Sequence, residues 1–161
     1  MLTSCSQSVH ICPATPADRP WIRALLIERW GSVTILTRER LIDASALAAL
    51  VARRGRQPVG LATFEQDRDC QLVTLDSLEP RQGIGRKLVE AVAAQARGRL
   101  WLITTNDNLE ALAFYLRSGF RLVAVHREAV TANRHLKPEI PLVGAHGIAI
   151  EDEWEFEYTA V

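Results

Sequence analysis

Leu72-Val-Thr-Leu-Asp-Ser-Leu-Glu-Pro-Arg-Gln-Gly-Ile-Gly-Arg-Lys-Leu88 is the stretch that decides the fold of this chain. It starts with apolar and β-branched residues, which predict a strand. An apolar residue then recurs at nearly helical spacing, at Ile84, Leu88, Val92 and Ala96. The turn between strand and helix contains Gly83 and Gly85, and such a turn leaves the first N–H groups of the helix without partners at the positive end of its dipole. The stretch therefore predicts either a phosphate-binding loop or a simple strand-to-helix turn.

Two common phosphate-binding motifs do not fit this turn. A Walker loop requires Lys and then Ser or Thr directly after its second glycine, whereas Arg86 follows Gly85. A dinucleotide-binding fingerprint requires a third glycine at the position of Leu88. The rest of the chain must therefore decide what the turn does.

The composition is that of a globular protein without excess charge. With 161 residues, 48% of them hydrophobic and 24% charged, we expect one domain over residues 1–161, with a disordered tail at residues 1–8. Lysine plus arginine equals aspartate plus glutamate, 19 each, so no broad field favours nucleic acid or an anionic membrane. The apolar runs are too short to span a membrane and no signal-peptide core is present, so we expect a cytoplasmic protein. Cys5, Cys12 and Cys70 form no Cys-x-x-Cys motif, which argues against a zinc site or a disulfide framework.

Apolar periodicity and turn residues predict a mixed fold. Strands are expected at residues 9–14, 46–53, 58–65, 70–78, 100–105, 120–125 and 153–158. Helices are expected from Asp18 to Gly31, from Gly83 to Arg97 and from Asn108 to Gly119. Residues 37–43 are expected to form a short helix or a loop. The strand, helix and strand between residues 70 and 105 predict a right-handed crossover and a parallel pair.

Two later segments carry more specific expectations. In the third helix, Asp107 and Glu110 resemble a capping box, and the predicted core stripe is Leu109, Leu112, Ala113 and Leu116. The last strand alternates between aromatic residues on one face and glutamates on the other, Glu153 first, so it is expected to be half-buried and to close the sheet.

The second half of the chain resembles the GCN5-related N-acetyltransferase family. Thr104-Thr-Asn-Asp-Asn108, Ala111, Phe114-Tyr115 and Ser118-Gly119-Phe120 are similar to its motif Asn-x-x-Ala-x-x-hydrophobe-Tyr followed by Gly-Phe. Gly83-Ile84-Gly85, one helix and one strand upstream, is similar to the second half of its pyrophosphate loop, Gln/Arg-x-x-Gly-x-Gly/Ala, although Pro80 stands at the Gln/Arg position. The resemblance covers roughly residues 9–125, with residues 154–158 as the last strand. It implies an α/β (α+β) fold: a mostly antiparallel sheet of six to seven strands, a central splayed parallel pair, and about four helices.

The family implies acetyl-CoA as donor, a primary amine as acceptor and no metal. By this resemblance, the pantetheine arm pairs with the backbone of Leu75, Asp76 and Ser77. The pyrophosphate binds the amides of Gln82, Gly83, Ile84, Gly85 and Arg86. The side chains expected to neutralise it are Arg81, Arg86 or Lys87.

Asn108 matches the asparagine that contacts coenzyme A, and Tyr115 matches the tyrosine that protonates the departing thiolate. Acyl transfer from a thioester needs such a proton, an oxyanion donor and a neutral amine. A backbone N–H of the splayed strand is expected to polarise the thioester carbonyl. From the residues alone, Asn108 also fits a helix cap and Tyr115 also fits core packing.

The general base stays open at the sequence level. Many family members carry a glutamate on the fourth strand, where this chain has Gln71. The nearby alternatives are Glu65, Asp76 and the C-terminal glutamates, or a proton loss through water, or an amine that binds already neutral.

Residues 127–152 form a long, irregular segment that is expected to cover the acceptor end of the cleft. Its basic side chains fit either recognition of an acidic group on the acceptor or a solvated surface loop: Arg134, His135, Lys137 and His146. His146 is a further candidate base.

Other functions remain compatible with the residues. One is a non-catalytic acyl-CoA-binding or regulatory module with the same fold, and a weaker one is a nucleotide-binding α/β domain. The sequence does not identify the acceptor, which includes small amines, amino acids, antibiotics, polyamines and protein N-termini. A homodimer is possible.

Overall fold

A computed structural model describes residues 8–159 of the chain, so Cys5 and nearly all of the expected N-terminal tail lie outside the described part. The strands are β1 Val9–Pro13, β2 Thr34–Thr37, β3 Arg40–Asp43, β4 Ala48–Arg54, β5 Gln57–Gln66, β6 Cys70–Ser77, β7 Leu100–Thr105, β8 Phe120–His126 and β9 Glu153–Tyr158. The α-helices in this range are α1 Arg19–Trp30, α2 Ile84–Gln95, α3 Leu109–Arg117 and α4 Ala129–Asn133. None of these helices is long and apolar enough to cross a membrane.

Seven strands form one mixed sheet in the order β1-β4-β5-β6-β7-β9-β8. All neighbours are antiparallel except β6 and β7, which α2 joins by a crossover. Their parallel pairing is limited to Cys70 with Leu100 and Gln71 with Trp101. The predicted mixed sheet with a splayed parallel pair is confirmed.

Two hydrophobic cores cover the two faces of the sheet. On one face, α2 buries Ile84, Leu88 and Val92 against the sheet, as its apolar spacing predicts. On the other face, α1 packs with the small β2–β3 sheet, and Leu26 is fully buried there. Fully buried apolar side chains of this size each contribute roughly 1.5–3 kcal/mol. Strand β6, which forms one edge of the candidate site, is therefore packed on both faces, by α2 on one side and by α1 with the β2–β3 sheet on the other.

Residues 37–43 do not form the helix or loop expected from the sequence. They belong to a hairpin in which Ile35 faces Ile42 across two four-residue strands. Both isoleucines are at least nine-tenths buried, so tertiary packing decides their conformation. An alternation of only four residues on each side of a turn is too short to distinguish a strand reliably.

The predicted core stripe of α3 is correct only at Leu112, which packs on the core. No residue of α3 is fully buried, and two other members of the stripe, Leu109 and Leu116, are 40% and 53% exposed. Phe114 and Tyr115, which the stripe did not include, pack on the core instead. The helix borders the cleft between β6 and β7, so part of its surface lines an opening instead of a packed layer.

The N-terminus of α3 also differs from the predicted capping box. Asn108, not Asp107, is the cap, and its Oδ1 accepts the Ala111 N–H at 3.2 Å. Asp107 accepts a hydrogen bond from Thr105 Oγ1 at 2.5 Å instead. Asn108 therefore caps α3, which is one of the two roles that the sequence allows for it.

Strand β9 lies between β7 and β8 rather than at the edge of the sheet. It pairs with β7 on one side and with β8 on the other, so β8 is the edge strand. Phe156 is fully buried, and Glu153 and Glu155 are only 2% and 9% exposed. The expectation of a half-buried strand that closes the sheet is therefore wrong, because β9 is inserted between two other strands and its first two glutamates are buried.

Candidate active site

A cleft opens where β6 and β7 separate. Between β5 and β6 the register passes from Thr63 with Thr74 to Phe64 with Leu72, which makes Val73 an extra residue in β6. Such a bulge bends a strand and increases its twist. The bulge lies directly after the last residue of β6 that pairs with β7, so it accounts for the divergence of the two strands.

The cleft encloses a cavity of about 190 Å³. Its walls come from β2, β6, β7, α3 and β9, and its polar lining includes Thr37, Gln71, Asn108, Tyr115 and Glu153. A second cavity of about 240 Å³ lies beside it and is lined by Ser77, Gly85 and Phe114 among others. The two cavities share Leu75, Ala111 and Tyr115, so they form one path from the start of α2 into the cleft.

The glycine turn presents free backbone amides at the outer end of this path. Gly83 has φ +71° and precedes the helix, whose first hydrogen bond runs from the Lys87 N–H to the Gly83 carbonyl at 3.1 Å. The amides of Ile84, Gly85 and Arg86 therefore have no acceptor within the helix. A Cβ on Gly85 would lie 3.0 Å from Phe114 Cζ, so the missing side chain lets α2 and α3 approach closely.

The predicted pyrophosphate side chains surround this turn. Gln82, Arg81 and Lys87 are exposed, and within residues 8–159 neither cation forms an ion pair. Arg86 contacts Glu90 of the next helical turn, with 3.2 Å between Nε and Oε1. An anion at the turn would thus meet free amides and two uncommitted positive charges.

Tyr115 lies where the two cavities meet. Its ring packs edge-on against Phe114 and Phe120, with centroids 5.4 Å and 5.3 Å away. Burial raises the pKa of its hydroxyl well above the ordinary range, and the nearby Asp76 carboxylate raises this pKa further. The hydroxyl therefore stays protonated at neutral pH and can donate to a group in the cleft. Tyr115 therefore packs against the core and also lines the candidate site.

Leu75, Asp76 and Ser77 lie on the part of β6 that has left β7. Their strand pairs only with β5, so one edge of its backbone faces the cleft. The Asp76 carboxylate accepts the Trp30 indole N–H at 3.0 Å, which ties α1 to β6. Burial raises the pKa of this carboxyl, although the Trp30 hydrogen bond and Arg29 act in the opposite direction.

Within residues 8–159, two residues that line the cavity each carry a buried acceptor atom without a hydrogen-bond partner. Gln71 donates from Nε2 to Thr37 Oγ1 at 2.6 Å, which leaves its Oε1 unpaired. Glu153 accepts the Arg38 backbone N–H on Oε1 at 3.2 Å, which leaves its Oε2 unpaired. Buried polar atoms without partners are rare and costly. Sequence reasoning included Glu153 only within the group of C-terminal glutamates that were candidate bases, because nothing in its local pattern distinguishes it from the others or reveals its burial.

The other base and recognition candidates are occupied elsewhere. Glu65 forms an ion pair with Arg40 and does not line the cleft cavity. In the 127–152 segment, Arg134 donates to the carbonyls of Ile140, Pro141 and Ile150.

The remaining cations of this segment also make internal contacts. Lys137 Nζ donates to the Thr34 carbonyl at 2.6 Å, the His135 ring contacts the Ala132 carbonyl at 3.0 Å, and His146 Nε2 lies 2.7 Å from Glu110 Oε1. These side chains hold α4 and the neighbouring turns against the rest of the chain.

Cys70 is a poor nucleophile. Cys70 is fully buried, and burial raises the pKa of its thiol to about 11. Cys12 lies on the edge strand β1, where its thiol donates to the Val51 carbonyl at 3.6 Å. Cys70 is thus a packed small side chain, as its apolar context predicts.

Comparison with known proteins agrees with this geometry. Residues 17–120 match the family model described as the acetyltransferase (GNAT) family. The chain is 36% identical over 152 residues to the uncharacterized protein YxbD of Bacillus subtilis (strain 168), covering 90% of this chain and 95% of that protein.

Solved structures share the fold at low identity. A GNAT family acetyltransferase from Elizabethkingia anophelis with acetyl-CoA bound gives a TM-score of 0.64 at 18% identity, over 94% of this chain and 98% of that one. Arabidopsis thaliana Naa50 in complex with the bisubstrate analogue CoA-Ac-MVNAL gives 0.62 at 17% identity, over 95% and 99%. Because the family match extends over more than half of its length, the chain belongs to the GNAT acetyltransferase family.

Proposed function

We propose that this protein transfers the acetyl group of acetyl-CoA to a primary amine in a ternary complex. The observation that carries the proposal is the continuous path from the free amides of the glycine turn to the Tyr115 hydroxyl. An elongated donor with a phosphate at one end and a thioester at the other fits such a path.

Each part of the path has a role in binding the donor. The amides of Gln82, Gly83, Ile84, Gly85 and Arg86 hold the pyrophosphate. The positive charges of Arg81, Arg86 and Lys87 surround it. The open backbone edge of Leu75, Asp76 and Ser77 hydrogen-bonds the pantetheine arm, and Asn108 contacts it from α3 with the amide group that capping leaves unused.

Two backbone and side-chain groups act on the thioester. A backbone N–H near the bulge at Val73 polarises the carbonyl, since a bulge leaves a residue outside the regular ladder. Tyr115 donates its proton to the departing sulfur, because its hydroxyl lies where the two cavities meet and is protonated at neutral pH. Direct transfer is favoured over a cysteine-bound intermediate, because Cys70 is buried and protonated.

Thiol release from acetyl-CoA, measured with a panel of primary amines, tests the proposal. We expect one class of amine to accelerate release, with formation of the N-acetyl product by mass spectrometry. Initial velocities at varied donor and acceptor should give intersecting lines, as a ternary complex requires. If acetyl-CoA binds and no amine of the panel accelerates release, the non-catalytic acyl-CoA-binding module is the better description.

A further inference from the structure

The two unpaired oxygens, Gln71 Oε1 and Glu153 Oε2, belong to side chains that are hydrogen-bonded to the consecutive residues Thr37 and Arg38. Gln71 is 4% exposed and Glu153 is 2% exposed, and both line the same 190 Å³ cavity. The Gln71 amide oxygen accepts hydrogen bonds only, and so does the Glu153 carboxylate in its ionised form. A ligand that satisfies them must therefore bring hydrogen-bond donors into the cavity.

A primary amine has the donors that this pair of acceptors lacks. It carries two N–H bonds when neutral and three when protonated, whereas an alcohol or thiol carries one donor and a carboxylate none. The Thr37 hydroxyl is already bonded to Gln71 Nε2, which fixes the amide so that its oxygen is the atom left for the ligand.

We propose that Glu153, assisted by Gln71, binds the acceptor amine and is the general base of acetyl transfer. This inference rests on the proposed function and adds the missing base to it. It also explains how the chain can have an amide at the strand position where a glutamate was expected: the carboxylate comes from β9, the strand inserted beside β7.

The proton balance of the step is complete with these residues. The amine nitrogen forms a bond with the thioester carbon, and the carbon–sulfur bond breaks. One proton leaves the nitrogen for Glu153 Oε2, and one proton enters the sulfur from Tyr115. The two side chains regain their starting states when a proton passes from Glu153 to Tyr115 through solvent, so that amine and acetyl-CoA yield amide and free thiol.

The charges around Glu153 leave it able to change its protonation state. Charged groups face it from the β2–β3 turn, from β8 and its following turn, and from its own strand: Arg38, Glu39, His126, Arg127, Glu128 and Glu155. The cations are directed mainly at Glu155, which lies 2.7 Å from Arg99 Nη1, 2.7 Å from His126 Nε2 and 3.6 Å from Arg38 Nη1.

Glu153 itself has no ion-pair partner among residues 8–159. Burial raises the pKa of its carboxyl, and the Arg38 backbone N–H and the charges of Arg38 and His126 oppose that rise. A carboxyl with a raised pKa is a stronger base when it is ionised, which suits proton abstraction from an amine.

The test compares Glu153→Gln with Glu157→Gln, a control four residues along the same face of β9 that does not line the cavity. With the most active amine of the panel, we expect E153Q to lower kcat at least about 100-fold, as loss of a general base does. E157Q should retain wild-type kcat. Acetyl-CoA affinity should stay within about twofold of wild type in both variants. The rate of E153Q should rise steadily with pH as the free amine deprotonates, whereas wild type should reach a plateau once Glu153 is ionised.

A measurement without turnover separates this inference from the proposed function. Acetonyl-CoA, which cannot transfer its acyl group, is bound first, and n-propylamine or n-propanol is then added at pH 8. We expect n-propylamine to raise the melting temperature of the wild-type complex more than n-propanol does. That difference should vanish in E153Q and persist in E157Q. An equal response to amine and alcohol, or an E153Q enzyme with unchanged kcat and pH profile, overturns the assignment of Glu153.

Discussion

Replacement of Gly83 by alanine separates its conformational role from its role in binding. The residue has φ +71°, and a Cβ built there meets no atom within 4 Å. Gly31, at the end of α1, has φ +74° and equally open surroundings. The two positions are therefore matched in backbone strain and in free space, but only Gly83 lies at the candidate phosphate site.

The expected stability loss is the same at both positions. An alanine in the left-handed region costs about 1 kcal/mol in the free energy of unfolding. For a domain of this size that corresponds to a fall in melting temperature of about 3 °C. Neither variant has a steric clash to add to this cost.

The expected loss of donor binding differs. A methyl group on Gly83 points into the open space from which a phosphate would approach the amides of the turn. Loss of one hydrogen bond to a charged group costs about 1.5–3 kcal/mol. Gly83→Ala should therefore weaken acetyl-CoA binding roughly tenfold to hundredfold, whereas Gly31→Ala should leave the affinity unchanged.

Isothermal titration with two donors gives the measurement. Acetyl-CoA carries the pyrophosphate, and S-acetyl-pantetheine lacks it, so only the first should lose affinity in Gly83→Ala. If Gly83→Ala and Gly31→Ala bind acetyl-CoA equally well, or if both donors lose affinity alike, the amides of this turn do not hold the pyrophosphate.

Three further predictions concern the site and the sheet. Tyr115→Phe should lower kcat about 100-fold with little change in donor affinity, and an unchanged kcat would exclude the proton-donor role. Because the pKa of the Tyr115 hydroxyl is raised, the alkaline decline of wild-type activity should begin above pH 10. Because the pKa of Glu153 is raised in the folded protein, the unfolding free energy of wild type relative to Glu153→Gln should fall as the pH rises from 4.5 through that raised pKa. Chemical denaturation at several pH values measures the two unfolding free energies, and a difference between them that grows in favour of wild type would contradict the prediction. Phe156→Ala removes a fully buried ring from β9. The expected loss of about 3–5 kcal/mol in the free energy of unfolding should lower the melting temperature by about 10 °C. A fall of less than 3 °C would show that this ring does not stabilise the position of β9.

The parts of the site that lie close together in the chain could be predicted from the sequence. The turn around Gly83, the stripe of α2, and the positions of Asn108 and Tyr115 are local patterns of residue type and spacing. Local patterns report helix ends, turns and periodicity because those depend on neighbours within a few residues. The family resemblance rests on the same local motifs, and the match over residues 17–120 bears it out.

The face that α3 turns to the core could not be predicted in this way. Its apolar residues are distributed so that two stripes compete, and the sequence favoured the one with Leu109 and Leu116, which are exposed. Because α3 borders the cleft, Tyr115 packs beside the opening. Which of two apolar faces is buried depends on the neighbours that the fold supplies.

By itself, the sequence determined the elements to which the proposed function assigns the donor: a strand, a glycine turn and a helix with free amides, followed by Asn108 and Tyr115. Only the tertiary structure decided the part that the further inference assigns to the acceptor. Glu153 alternates with aromatic residues in a pattern that is typical of a solvated face, and its burial arises because β9 inserts between β7 and β8. That pairing joins segments far apart in sequence, and no local pattern encodes which strand a returning segment will meet. The same long-range placement brings Gln71 and Glu153 to one cavity, with two oxygens left for a donor that the chain does not provide.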